Sequence, residues 1–270
     1  MAPDIAPRGG NESNDGKDGD DAVSAVQLSS VTVTFGGLVA LGDVDLDVAQ
    51  GQRLAILGPN GAGKTTLFNV VAGDLSPTRG SVTIRGVDCT QLPSRHRPRL
   101  GVARTYQKAR SFPGLTVADN LYLALVGRHG RHRGLGRSGA DRALRDRTGS
   151  AAESVWLEDR MDSMVRELSH GQKRQLEIGM ALATDPDVLM LDEPASGLAR
   201  GERERLTELL AGLRDVATLL LIEHDMDVAF QVARRVVVMS DGRIVASGTP
   251  AEVQADPLVQ EIYLGSEALK

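Results

Sequence analysis

Apolar and polar residues alternate with period two over 23–35 (VSAVQLSSVTVTF), the pattern of a strand with one buried and one exposed face. Residues 44–48 (VDLDV) alternate in the same way, and Gln50, Gly51 and Gln52 then predict a turn. Other runs are apolar without alternation: RLAIL at 53–57, VLML at 188–191 and TLLLI at 218–222. Each predicts a strand buried on both faces, as in a parallel sheet. The last two run directly into acidic residues. Elsewhere the period is helical. Leu206, Leu209, Leu210 and Leu213 fall on one helix face, as do Leu176, Gly179, Met180 and Ala183. KTTLFNVVAG predicts a helix closed by Gly73, and TVADNLYLALV one that opens with Thr116 three residues before Asp119. RRVVVMSDGRIVASG predicts a hairpin turning at Asp241 and Gly242, and Thr249, Pro250 and Glu252 predict a capped final helix.

Buried strands alternating with helices predict an α/β fold with a mainly parallel sheet. The amino-terminal strands form an antiparallel β subdomain. Residues 107–170 interrupt the strand series with helical periodicity and predict an inserted α-helical subdomain. The expected domain spans 25–265, with its core at 25–106 and 171–265. Composition adds limits. No apolar run approaches the roughly 20 residues needed to cross a bilayer, and no apolar signal core follows Met1. The single Cys89 excludes an internal disulfide and fits a reducing compartment. Residues 1–21 carry −4 of the net −5, so 1–24 reads as a disordered acidic tail and the rest offers no general nucleic-acid surface. Seven arginines and four glycines at 128–147 predict a basic surface loop.

The candidate chemistry sits where strands end. GPNGAGKTT, 58–66, follows a buried strand and precedes a helix. In G-x-x-x-x-G-K-[ST], the glycines let the backbone wrap a phosphate closely, so that its N–H groups point inward. The ATP-binding set is therefore Gly58, Pro59, Asn60, Gly61, Ala62, Gly63, Lys64, Thr65 and Thr66. Lys64 supplies charge to the β- and γ-phosphates, and the Thr65 hydroxyl suits Mg²⁺. Asp192 ends a buried strand as a hard ligand for the same ion, and Glu193 beside it suits a general base. His224 ends another buried strand and can reach the γ-phosphate. Gln107 follows the strand-like LGVAR and can offer its amide to Mg²⁺ or water; on spacing alone the reading as a surface glutamine wins.

Five motifs now stand in order: 58–66, Gln107, 168–172 (LSHGQ), 188–193 and His224. Together they resemble the ATP-binding subunits of ABC transporters, over about 26–264. The resemblance implies a P-loop NTPase (RecA-like) core and an ATPase that uses ATP and Mg²⁺, with Glu193, His224, Gln107 and Lys64 catalytic and Thr65, Gln107 and Asp192 on the metal. It places Phe35 on adenine, although a strand core position is the alternative. It also implies that subunits pair head to tail, so that Ser169, Gly171 and Gln172 complete the partner's site in trans. FGGLVAL, GVARTYQ, LEIGMALATDP, LIEHDM and the ending GTPAEVQADPLVQEIYLG resemble the branched-chain amino acid importers in particular. Importers of related amides or urea, lipid exporters, and soluble ABC regulators are the alternatives. The implied partners are a second ATPase subunit, a paralogue or a second copy with the paralogue favoured, two membrane permeases and, indirectly, an extracytoplasmic solute-binding protein. The implied location is peripheral, on the cytoplasmic face of a bacterial-type membrane. Two positions depart from the family pattern: His170 stands where glycine is common, and Ala199 where an acidic or polar residue is common.

Overall fold

Glycines at 36 and 37 fold the first two alternating segments back on one another. Strands β1 (Ser24–Phe35) and β2 (Leu38–Ala49) pair antiparallel. In β2, Val44, Leu46 and Val48 are buried while Asp43, Asp45 and Asp47 between them are exposed. β4 (Arg79–Ile84) pairs with the other edge of β1, and the short β5 (Val87–Asp88) with β4. The resulting sheet has the order β2-β1-β4-β5. The chain is seen in a computed structural model that describes residues 24–105, 111–129, 139–213 and 218–267. The acidic tail up to 23, Gln107 and residues 130–138 of the Arg-rich stretch lie outside the described residues.

The unalternating runs form a second sheet. β3 (Arg53–Leu57), β6 (Val102–Arg104), β7 (Val188–Asp192), β8 (Thr218–Ile222) and β9 (Arg235–Ser240) are all parallel. β10 (Arg243–Gly248) joins the edge antiparallel, as the expected hairpin, and the order is β10-β9-β3-β8-β7-β6. Burial on both faces explains the missing alternation. Leu220 and Ile222 of β8 face the amino-terminal sheet and α1 (Lys64–Ala72). Leu219 and Leu221 face the opposite way, onto the helices α2 (Val117–His129), α3 (Gly139–Ser154), α4 (His170–Leu182) and α5 (Arg200–Gly212). The apolar residues of the inserted helices, such as Leu121, Leu125 and Val155, are thus continuous with one face of the parallel sheet. β3 and β9 bury their third group of residues against α6 (Met226–Val232), α7 (Pro250–Ala255) and α8 (Pro257–Glu267). The capping box expected at Thr249 and Glu252 is present, but the one expected helix is two, divided at Asp256 before Pro257.

Candidate active site

The carboxyl ends of β3, β7 and β8 lie side by side, where open α/β sheets place their ligands. β3 delivers the glycine-rich loop. Gly58 has φ +147°, and a Cβ there would sit 2.2 Å from the Met239 carbonyl oxygen. Gly63 has φ +98°, and its Cβ would sit 2.8 Å from the Ala40 oxygen. Neither position admits a side chain, so the loop can pack against both sheets. Gly63 also starts α1 without a side-chain cap, which leaves the first-turn N–H groups open to an anion.

Lys64 is buried and folds back on the loop, with Nζ donating to the carbonyls of Gly58 at 2.6 Å and Pro59 at 3.0 Å. Burial lowers its pKa, and Glu193 and Asp192 act in the opposite direction. A cavity of about 440 Å³ opens beside it. Asn60, Gly61, Ala62, Gly63, Lys64, Thr65 and Thr66 form its floor, and Glu193 lines it too. Phe35, Leu38 and Val39 form an apolar rim. Phe35 is 53% exposed, so it is not a strand core residue. The turn at Asp241 and Gly242 lines the cavity as well. It was read from sequence only as a hairpin. Gly242 N–H donates to the Ala62 oxygen at 3.1 Å, while its carbonyl accepts from Gly42 at 2.9 Å.

Asp192 is buried, and its Oδ2 accepts from Arg104 Nη2 at 3.0 Å. Its Oδ1 is buried and has no hydrogen-bond partner. A buried carboxylate oxygen left open costs free energy unless something completes it. With the Thr65 hydroxyl, this is a hard oxygen donor set that fits Mg²⁺. Arg104 also donates to Asn69 and Asp74, tying α1 to β7. Sequence reading did not single it out; its place at the end of LGVAR was the available signal. Glu193 follows with φ +46°, a left-handed conformation that is uncommon for a non-glycine residue. His224 lies two residues beyond β8 and is exposed, and it does not line the cavity. Glu223 beside it is fully buried, and burial raises its pKa above the usual carboxylate range.

Ser169, Gly171 and Gln172 line no part of that cavity. They open α4, where Ser169 caps the helix and forms a reciprocal capping box with Gln172. The Glu202 carboxylate from α5 is seated on the same amide cluster. Its Oε1 accepts from Ser169 Oγ at 2.7 Å and from Gly171 N–H at 3.0 Å. These bonds lower the Glu202 pKa. Nothing in the sequence pattern marked Glu202.

Comparisons with known proteins identify the family by sequence and by fold. The ABC transporter family model matches residues 41–196, and that of the branched-chain amino acid ATP-binding cassette transporter matches 243–268. The chain is 38% identical over 249 residues to the high-affinity branched-chain amino acid transport ATP-binding protein LivG of Salmonella typhimurium, covering 88% of this chain and 96% of the relative. Among solved structures, the ADP conformation of MJ1267, an ATP-binding cassette of an ABC transporter, superposes with a TM-score of 0.77 at 29% identity, covering 90% of this chain and 99% of that one. The dimeric post-hydrolysis state of the cassette MJ0796, bound to ADP and Pi, gives 0.70 at 27% identity, covering 83% and 98%.

Proposed function

The chain belongs to the ABC transporter family, and from that premise we propose that it is the ATP-hydrolysing subunit of an importer of branched-chain amino acids. The observation that carries the cargo class is the match at 243–268 to the branched-chain family, beyond the general cassette. No described helix is long and apolar enough to cross a membrane, so the solute path belongs to separate permease subunits, fed by a solute-binding protein. The chain then sits peripherally on the cytoplasmic face of the membrane.

The working unit in this reading is two cassettes closed on two ATP molecules, the second cassette being a paralogue. Phe35 stacks on adenine, and the amides of 58–66 hold the phosphates. Lys64 leaves the two loop carbonyls and transfers its charge to the β- and γ-phosphates. Thr65 and Asp192, with Gln107 as a proposed further ligand, would hold Mg²⁺, which would neutralise charge on the same phosphates. Glu193 takes a proton from the attacking water, and His224 moves in to stabilise the phosphoryl charge. Ser169, Gly171 and Gln172 complete the partner's site. Glu193→Gln is expected to bind ATP, to trap the closed dimer and to lose turnover by about 10³-fold or more, in the range for a general base and the electrostatics around it. Wild-type turnover in that variant overturns the role of Glu193. Uptake of labelled leucine, isoleucine and valine by the reconstituted complex tests the cargo class; transport of a lipid instead, or recovery of the chain away from any permease, overturns it.

A further inference from the structure

We propose that Arg174 and Glu223 are positioning residues that clamp the backbone of Glu193. The proposal rests on the reading of Glu193 as the base. Glu193 adopts φ +46°, which nothing in its own side chain favours. Its surroundings supply the constraint. Glu193 N–H donates to the Ile222 carbonyl at 3.0 Å. The Glu193 carbonyl accepts from Arg174 Nη2 at 3.1 Å, and the Pro194 carbonyl from Arg174 Nε at 3.0 Å. Ala195 N–H donates to Glu223 Oε1 at 2.9 Å. Pro194 has no N–H. Every main-chain polar group from the Glu193 N–H to the Ala195 N–H is therefore engaged, and three of these bonds come from two charged side chains.

The two side chains arrive from opposite sides. Glu223 directly follows β8, the strand next to β7, and is fully buried. Arg174 lies on α4, five residues after the Ser169 cap. Its guanidinium uses two nitrogens as a fork on consecutive carbonyls, a geometry that the single ammonium of lysine cannot reproduce. A third nitrogen, Nη1, donates to Glu177 Oε2 at 2.9 Å, and the two side chains are each only 11% exposed. Glu177 in turn lines a cavity of about 310 Å³ between α2, α4 and β6. The helix that starts at the trans-acting Ser169 thus grips the base of its own chain.

The test is steady-state ATP hydrolysis by the reconstituted transporter, with ATP affinity and thermal midpoint measured on the same preparations. Arg174→Lys is expected to lower kcat by about 10²-fold, the cost of misplacing a reacting group by about 1 Å, and to leave the KM for ATP within about twofold. Glu223→Met, which cannot accept from Ala195 N–H as an oxygen does, is expected to lower kcat in the same way. Glu223→Gln keeps an acceptor oxygen and is expected to stay close to wild type. Wild-type kcat in both Arg174→Lys and Glu223→Met overturns the clamp, as does a loss in Glu223→Gln equal to that in Glu223→Met, which would make Glu223 an ionising group instead. A parallel fall in ATP affinity and thermal midpoint makes the role merely structural and also overturns it. Glu193→Gln separates the two failures. If it turns over normally, the reading of Glu193 has failed; if it is inactive while the clamp variants are not, only the clamp has.

Discussion

The start of α1 and the start of α4 are both helix amino termini shaped for an anion, yet they end in opposite states. At α1 the cradle is built by local backbone, and its cation, Lys64, is folded onto the carbonyls of Gly58 and Pro59. At α4 the cradle is filled by the chain's own Glu202, bonded to Ser169 and Gly171. The first stands beside the Asp192 and Glu193 carboxylates and has a cavity of its own. The second borrows a carboxylate, Glu202, from α5, and a separate cavity lined by His170, Lys173 and Glu193 adjoins its first turn. Equal local physics therefore leaves one helix start open beside a cavity and the other occupied by a carboxylate of the same chain.

The sharpest way to break this comparison is to damage each end separately. Lys64→Ala is expected to weaken ATP binding by about 10²-fold or more, because it removes a buried charge partner of the phosphates. Ser169→Arg is expected to leave ATP affinity of its own chain intact while abolishing hydrolysis. A fluorescent nucleotide titration beside an ATPase assay reads both; if Ser169→Arg hydrolyses ATP at the native rate, α4 is not half of a composite site. The bracing of the α1 end comes next. Arg104 and Asp192 have side chains only 7% and 3% exposed, so Arg104→Ala leaves Asp192 buried without its cation. The expected loss is about 3–5 kcal/mol of folding stability, read by urea unfolding. A loss within about 0.5 kcal/mol, typical of surface sites, would show that the pair does not brace α1 against β7.

Smaller effects are expected at α4. Glu202 competes with any phosphate for Ser169 and Gly171, so Glu202→Ala is expected to lower the ATP concentration needed to form the Glu193→Gln dimer by about 2- to 5-fold, the scale of a charge at a helix start. Size-exclusion chromatography over an ATP series measures it; a higher requirement would mean that Glu202 prepares the half-site instead of blocking it. The last effect is on pH. Hydrogen bonds from Ser169 and Gly171 hold the folded pKa of Glu202 below its ordinary value. The contact therefore contributes stability above the usual glutamate range and loses it as pH falls through the lowered value. Because Glu202 is only partly buried, the change is small. A thermal midpoint difference between wild type and Glu202→Gln that grows as the solution is acidified would contradict it.

Much of both ends is legible in the chain. The cradle at 58–66 is a contiguous motif between a buried strand and a helix, and the Ser169 box needs only Gln172 three residues on. The residues that sequence reading missed act over distance. Arg104 meets Asp192 across 88 positions, Glu202 meets Gly171 across 31, and Glu223 meets Ala195 across 28. Arg174 reaches Glu193 and Pro194 from 19 and 20 positions away. A charged residue near a motif is ordinary in a soluble chain, and no spacing rule marks the few that are buried. Their role appears only when the order of β3, β8, β7 and β6 makes them neighbours.

The sequence by itself determined the elements, the doubly buried strands, the phosphate loop, the carboxylates at the end of β7 and the cap of α4, because each rests on interactions within a few residues. Only the tertiary structure decided that Phe35 is exposed on a cavity rim, that Asp241 and Gly242 wall that cavity, and that Glu202 is bonded to the start of α4. It also decided how the left-handed backbone at Glu193 is held. Those outcomes depend on which strand ends lie together and which side chains lose their water, and no local pattern encodes either.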